Sequence, residues 1–274
     1  MKKLFWICFL VPAVFPVWAE PAGPAVWREA RSGLEFVPVA GGCFPLGADV
    51  AGEISLHGQP SPPRRDELPR HDVCVAAFWL GRTEVTAAAW QRVMGGAPPA
   101  LPEHPVAQVS SADIEEFLRR LNAGNNERFR LPTEAEWEHA CRSGEPVTDP
   151  VPHSHARHQE LQAVANFNEI DDRIPAVQPV ASRQPNRHGL HDMLGNVWEW
   201  VADDYADDAY TRHARNNPRH TAASGRRVLR GGSFQTTLDQ VRCGARAWST
   251  PAERLTTIGL RVLRAMPPST RRKK

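Results

Sequence analysis

Proline and glycine interrupt this chain too often for any long element to form. There are 25 prolines and 19 glycines in 274 residues. Each proline removes a backbone donor and fixes its own φ, and each glycine frees the chain to turn. The pattern predicts short elements joined by many turns. Hydrophobic residues at 41% and charged residues at 23% are ordinary globular values, which excludes collagen, a coiled coil or a wholly disordered chain. The length suits one large domain or two small ones, and no composition shift marks a boundary. No repeat of about twenty to fifty residues is visible, which speaks against a solenoid or propeller.

Residues 1–19 read as an export leader. Lys2 and Lys3 are followed by an apolar run from Leu4 to Val17, and Val17-Trp18-Ala19 resembles a small-x-small cleavage site. The alternative is an uncleaved anchor, for which the run is short. No later segment reads as transmembrane, so a periplasmic or secreted protein is expected. Losing Lys2 and Lys3 brings the 33 basic residues down to the number of acidic ones, 31. The chain beyond the leader is thus near neutral, which speaks against nucleic acid as a partner. Its one basic run is the tail, Arg271-Arg272-Lys273-Lys274.

Five cysteines are present, and Cys8 leaves with the leader. Cys43, Cys74, Cys141 and Cys243 remain, an even number that suggests two disulfides in an oxidising compartment. Spacing leaves all three pairings open. There is no CxxC, which argues against a zinc knuckle or a thioredoxin-type site.

Residues 20–33 read as a loose N-terminus. Leu34–Val39 alternates as a strand, and Cys43–Gly47 reads as its hairpin return across Gly41-Gly42. Residues 48–70 read as a long surface loop. Val73–Leu80 is a strand. Thr86 caps a short helix over 87–94. Ser110 or Ser111 caps a second helix, with Ile114, Phe117, Leu118 and Leu121 on one apolar face. Thr133 and Glu136 form a capping box for a third helix, ended by Arg142-Ser143-Gly144. Residues 145–161 read as a solvated loop whose His153, His155 and His158 lack packed neighbours to make a metal site. Short strands are expected near Val180, at Trp198–Val201, at Val228–Arg230 and over Gly259–Leu263.

Five blocks occur in order. They are Phe78-Trp79-Leu80-Gly81-Arg82-Thr83-Glu84-Val85-Thr86; Arg130-Leu131-Pro132-Thr133-Glu134-Ala135-Glu136-Trp137-Glu138; Asn186 through Trp200; Arg230-Gly231-Gly232-Ser233-Phe234; and Ile258-Gly259-Leu260-Arg261. Together they resemble the formylglycine-generating enzyme family, also called sulfatase-modifying factors, over roughly residues 34–264, leaving 265–274 as a tail. The resemblance implies a single α+β domain, C-type-lectin-like, with little regular secondary structure. In such a fold Trp79, Trp137, Trp198 and Trp200 are read as core anchors rather than a sugar-stacking set.

The resemblance also implies a site. The family's cleft would lie at Arg230, Ser233 and Thr236. Its enzymes hold copper with two cysteines, at the second and seventh positions beyond the block's Phe. Here those are Thr236 and Val241, and neither replaces a thiolate for Cu(I). A copper dithiolate is therefore not expected. Two structural calcium sites are implied: Asp192, Gly195, Val197 and Glu199, and, with shorter spacing, Asn166, Phe167, Asp172 and Ile174. Because the third helix and the loop after Arg230 pack together in the family, a Cys141–Cys243 bridge is implied, leaving Cys43–Cys74. The rival is a free, redox-active Cys243.

Three functions follow as expectations. The first is oxidative maturation of a periplasmic peptide, protein or siderophore-like substrate by chemistry other than copper dithiolate. Iron or another redox metal would then draw on residues such as His188 or His191, though no facial triad is evident by spacing. The second is a non-catalytic peptide- or protein-binding module on the same scaffold. The third, formylglycine generation on sulfatases, is disfavoured by Thr236 and Val241. No Ser-His-Asp elbow, P-loop or GxGxxG fingerprint is present.

Overall fold

The computed structural model describes residues 25–48, 53–54, 60–61, 63–143, 162–168, 176–237 and 240–266. In chain order the strands and helices are β1 (Trp27–Arg28), β2 (Glu35–Val39), β3 (Gly42–Leu46), β4 (Glu53–Ile54), β5 (Pro60–Ser61), β6 (His71–Val75), β7 (Phe78–Gly81), α1 (Ala87–Met94), α2 (Ser111–Asn122), β8 (Phe129–Arg130), α3 (Glu134–Arg142), β9 (Trp198–Asp204), β10 (Arg227–Arg230), β11 (Arg246–Ser249), β12 (Ile258–Leu260) and β13 (Leu263–Ala265).

The helices start where their caps predict. Thr86, Ser110 and Thr133 each accept a backbone N–H of the first turn, and Asp113 and Glu136 complete two capping boxes. On α2, Ile114, Phe117 and Leu121 are buried, as their spacing requires. Leu118 is half-buried against the same core. Among the described residues no helix is long and apolar enough to cross a membrane.

Two sheets carry the domain. The first has the order β1-β2-β7-β13-β8 and the second β11-β10-β9-β12, with β12 parallel to β9. β3 and β6 form a separate two-stranded ribbon, and β4 pairs with β5. One apolar cluster joins the ribbon to α3 and the turn before β9. A second lies around α1, α2 and the ends of β9 and β12. Trp137 and Trp200 are fully buried, with their indole N–H groups bonded to Glu199 and the Val109 carbonyl. Trp79 and Trp198 are half-buried against the second cluster.

Several expectations change. β3 does not return on β2; it pairs with β6. The expected strand over residues 73–80 is two strands in different sheets, broken at Ala76-Ala77. A Cβ on Gly41 would meet Ala77 N at 2.7 Å and the Val75 carbonyl at 2.8 Å, so only glycine lets these two bends nest. The expected strand over 259–263 likewise splits, because Arg261 and Val262 carry the chain from one sheet to the other. Val180 sits in a turn, where Ala181 has φ 58°, a value that ends extended backbone. The segment read as loose holds β1, with Glu29 and Ser32 buried. The loop over 48–70 holds β4, β5 and a 3-10 turn at Arg65–Glu67 with Asp66 and Glu67 buried. The two-residue strands β1 and β8, too short to show a period, escape sequence reading altogether, as does the four-residue β11. The loop over 145–161, with its three histidines, lies outside the described residues.

Candidate functional site

The Arg230–Phe234 loop leaves the end of β10 and rests on a buried ionic frame. Gly231 and Gly232 both have positive φ, 98° and 84°, which glycine adopts without a steric penalty. Arg230 is fully buried. Its guanidinium donates to Glu134 at 3.2 Å, to Glu138, and to the Cys243 carbonyl at 2.6 Å. Arg246 reaches the same Glu134 through both carboxylate oxygens, at 2.7 and 3.0 Å, and Arg142 holds Glu138 at 2.6 Å. Glu134 and Glu138 stand four apart on α3 and therefore share a face. Burial alone would raise both carboxyls. The guanidiniums of Arg246 and Arg230 at Glu134, and of Arg142 and Arg230 at Glu138, outweigh it and hold both below the usual range.

Beyond the glycines the loop closes on itself. The Ser233 N–H donates to Thr236 Oγ1 at 2.8 Å, and the two hydroxyls lie 3.2 Å apart. Ser233 and Thr236 are both buried. The three cleft candidates are thus brought together, but as a buried turn on an ionic frame, not as open side chains. Val241 packs with Ala165 and Phe167. The disulfides are Cys141–Cys243 and Cys43–Cys74. The first ties α3 to the segment after the loop; the free Cys243 is set aside.

A second buried cluster adjoins the loop. The Gly195 N–H donates to the Gly231 carbonyl and the Phe234 N–H to the Asn196 carbonyl, each at 2.8 Å. Gly195 has φ 81°, and a Cβ there would lie 2.0 Å from the Asn166 carbonyl, so no side chain fits. Glu84 receives the Asn196 amide at 2.7 Å and the Val197 N–H at 3.1 Å. Arg261 bonds Glu199 and also the carbonyls of Gly81 and His191. Burial pushes Glu84 well up, and the charges of Asp192 and Glu199 push the same way. Burial also raises Asp192, only partly offset by the Ala181 N–H and Arg261.

This cluster holds the first implied calcium set, and its chemistry tests the fit. Glu199 meets Arg261 Nε at 2.9 and 3.1 Å, Arg261 Nη2 at 2.7 Å and Trp137 Nε1 at 2.7 Å. Three N–H groups thus take up most of the roughly four lone-pair sites of a carboxylate, and the Arg261 guanidinium already supplies its counter-charge. Asp192 already accepts the Ala181 N–H at 2.7 Å. The four positions do not fit a shared calcium while Arg261 holds Glu199. Of the second set, Asp172 and Ile174 lie outside the described residues. Asn166 donates its amide to the Asn196 side chain and the Ala176 carbonyl, and Phe167 is buried.

Among the described residues no three or more His, Cys, Asp or Glu side chains converge to hold a metal ion. His191 is buried with Nδ1 on the Arg183 carbonyl at 2.8 Å, and His188 is half-buried. Sequence reading missed Arg246 and Asp203, and read Glu134, Glu138, Glu84 and Arg261 only as parts of motifs. The one available signal was Glu134 and Glu138 on the same face of α3.

Residues 24–266 match the model of the sulfatase-modifying factor enzyme 1-like domain. The chain is 33% identical to the formylglycine-generating enzyme of Streptomyces coelicolor over 68% of this chain and 60% of that protein. It is 28% identical to the hercynine oxygenase of Mycolicibacterium smegmatis over 88% of this chain and 63% of that one. It thus spans less than two thirds of the length of these relatives. PvdO from Pseudomonas aeruginosa superposes with a TM-score of 0.77 at 26% identity, covering 90% of this chain and 100% of that one. The matched residues include the glycine-bearing loop, the capped α3 beneath it and the Asn196 turn beside it, and the chain belongs to the sulfatase-modifying factor family.

Proposed function

We propose that this protein acts outside the cytoplasm in the oxidative maturation of a peptide, protein or siderophore-like substrate, without a copper dithiolate. The observation that carries the reading is the Cys141–Cys243 bridge. Such bridges persist in oxidising compartments, which supports export. The bridge also takes the cysteine nearest the Arg230–Phe234 loop out of thiolate chemistry. Thr236 and Val241, where the resemblance places copper ligands, are hard or apolar and buried. Support for oxidation comes from the relatives, which include a formylglycine-generating enzyme and a hercynine oxygenase; that step is analogy from family to member.

The role of this chain's own residues in that reading is positional. The Arg230–Glu134–Arg246 frame fixes the loop's backbone, and the Ser233–Thr236 turn sets its shape. With dioxygen as the oxidant, iron or another redox metal, if the substrate or a partner brings one, would carry the substrate's electrons to it. A second reading, a binding module without catalysis, is favoured by one observation: both hydroxyls of the loop are spent on its own turn.

The test compares peptides and small molecules of the export compartment by mass spectrometry with and without the protein. The expected result is a protein-dependent species lighter by two hydrogens or heavier by one oxygen, while a Cys-x-Pro-x-Arg peptide gains no formylglycine. Capture of a ligand with no change of mass favours the binding module. Formylglycine on the peptide overturns the reading drawn from Thr236 and Val241.

A further inference from the structure

The two disulfides differ in what surrounds them. Cys141 is buried against the core and Cys243 packs partly buried on the same cluster. Cys43 is exposed and Cys74 half-buried. Cys43 and Cys74 are directly opposed in the β3–β6 ribbon, one of five paired positions from Gly42↔Val75 to Leu46↔His71. Their Cα atoms are 3.9 Å apart.

The ribbon is clamped from its other side as well. The Cys74 N–H donates to the Arg215 carbonyl, and the Asn217 N–H to the Cys74 carbonyl, both at 2.7 Å. The Asn217 side chain also accepts the Ala76 N–H at 2.8 Å. Backbone hydrogen bonds thus hold Cys74 from its outer side, and the flanking pairs Gly42↔Val75 and Phe44↔Val73 keep Cys43 opposite it, whether or not the sulfurs are joined. Opening this bridge does not require unfolding, and closing it again does not require a search.

We propose that Cys43–Cys74 is a thiol-exchange site that takes a low-molecular-weight thiol of the glutathione class. The thiolate attacks Cys43 Sγ, the accessible sulfur. A new S–S bond forms there, the Cys43–Cys74 bond breaks, and its electron pair leaves on Cys74 Sγ as a thiolate. A second thiolate attacks the sulfur of the bound thiol, releasing a small disulfide and the Cys43 thiolate. Two thiols are oxidised and the bridge gains two electrons. The two protons that the thiols lose end on Cys43 and Cys74. The reverse sequence restores the bridge. Cys141–Cys243 is screened from this attack by the core and is exchanged only when the domain opens.

The test uses the full chain under native conditions in glutathione buffers. Samples are quenched with acid, alkylated and mapped by mass spectrometry. Cys43 and Cys74 are expected to be labelled at least tenfold sooner than Cys141 and Cys243, with the glutathione adduct on Cys43, and to re-form their bridge without scrambling on oxidation. Near-ultraviolet circular dichroism is expected to stay native throughout. Equal rates for the two bridges, earlier opening of Cys141–Cys243, or an adduct on Cys74 alone would overturn the proposal. A Cys74→Ser variant is expected to accumulate the Cys43 adduct; if it fails to fold, the wild-type time course decides. A cysteine peptide lost as a mixed disulfide is recovered by reductant, whereas one that has been oxidatively matured is not, so the two proposals fail separately.

Discussion

Glu134 and Glu84 are both fully buried, yet their carboxyls move in opposite directions. Around Glu134 and Glu138 three guanidiniums converge, from Arg230, Arg246 and Arg142. Around Glu84 and Asp192 the guanidinium that lowers both is that of Arg261, which is already committed by hydrogen bonds to Glu199, while Arg183 lowers Asp192 alone. Burial penalises every one of these carboxylates. The supply of cations decides which of them stays charged. Asp203 shows the rule within the first cluster. Burial and the neighbouring Glu134 charge push it to about 7, because its partners are the N–H groups of Glu134 and His220, not guanidiniums.

The comparison breaks most readily at its cations. Arg261→Met is expected to cost about 3–5 kcal/mol in denaturant unfolding, since Glu199 then stays buried without its counter-charge. Arg230→Met is expected to cost less, about 1–3 kcal/mol, because Arg246 and Arg142 still hold Glu134 and Glu138. Equal losses would mean that cation number is not what separates the clusters.

A pH series sharpens it. With Asp203 raised to about 7 from an ordinary 3.8, its contribution is full below pH 3.8 and is lost as pH rises toward 7. The slope is at most about 1.4 kcal/mol per pH unit. Glu134 and Glu138, held low, act the other way and lose stability as pH falls below their ordinary range. Urea unfolding of Asp203→Asn between pH 4.5 and 8 is expected to show a flatter profile than wild type; an unchanged slope would assign it elsewhere. The smallest effect concerns calcium. Chelator is expected to leave the thermal midpoint unchanged, while a rise of several degrees on adding calcium would place a cation on Asp192 despite Arg261.

Local features of the fold were legible and distant ones were not. Thr86, Ser110 and Thr133 announced their helices because a cap acts within one turn. The same block that exposed Glu136 as a capping partner concealed Glu134. Its ion-pair partners lie 96 and 112 residues away in sequence, and no spacing rule reaches them. Strands of two residues carry no period, so β1 and β8 left no trace. The disulfide pairing came through the resemblance and not through spacing. The resemblance also placed Arg230 in a cleft, and the structure puts its guanidinium beneath the loop instead.

The Arg264 guanidinium lies 4.3 Å from the centre of the Trp27 ring, so the last strand described touches the first. β1 and β13 belong to one sheet with two strands between them, a separation on the order of 15 Å. A polypeptide entering near residue 25 leaves near residue 266 on the same flank. The domain can therefore be spliced into a host protein as a loop is, without prising the host apart. By the same geometry, a short linker joining the two ends, with new ends cut elsewhere on the surface, would yield a permuted chain of the same shape.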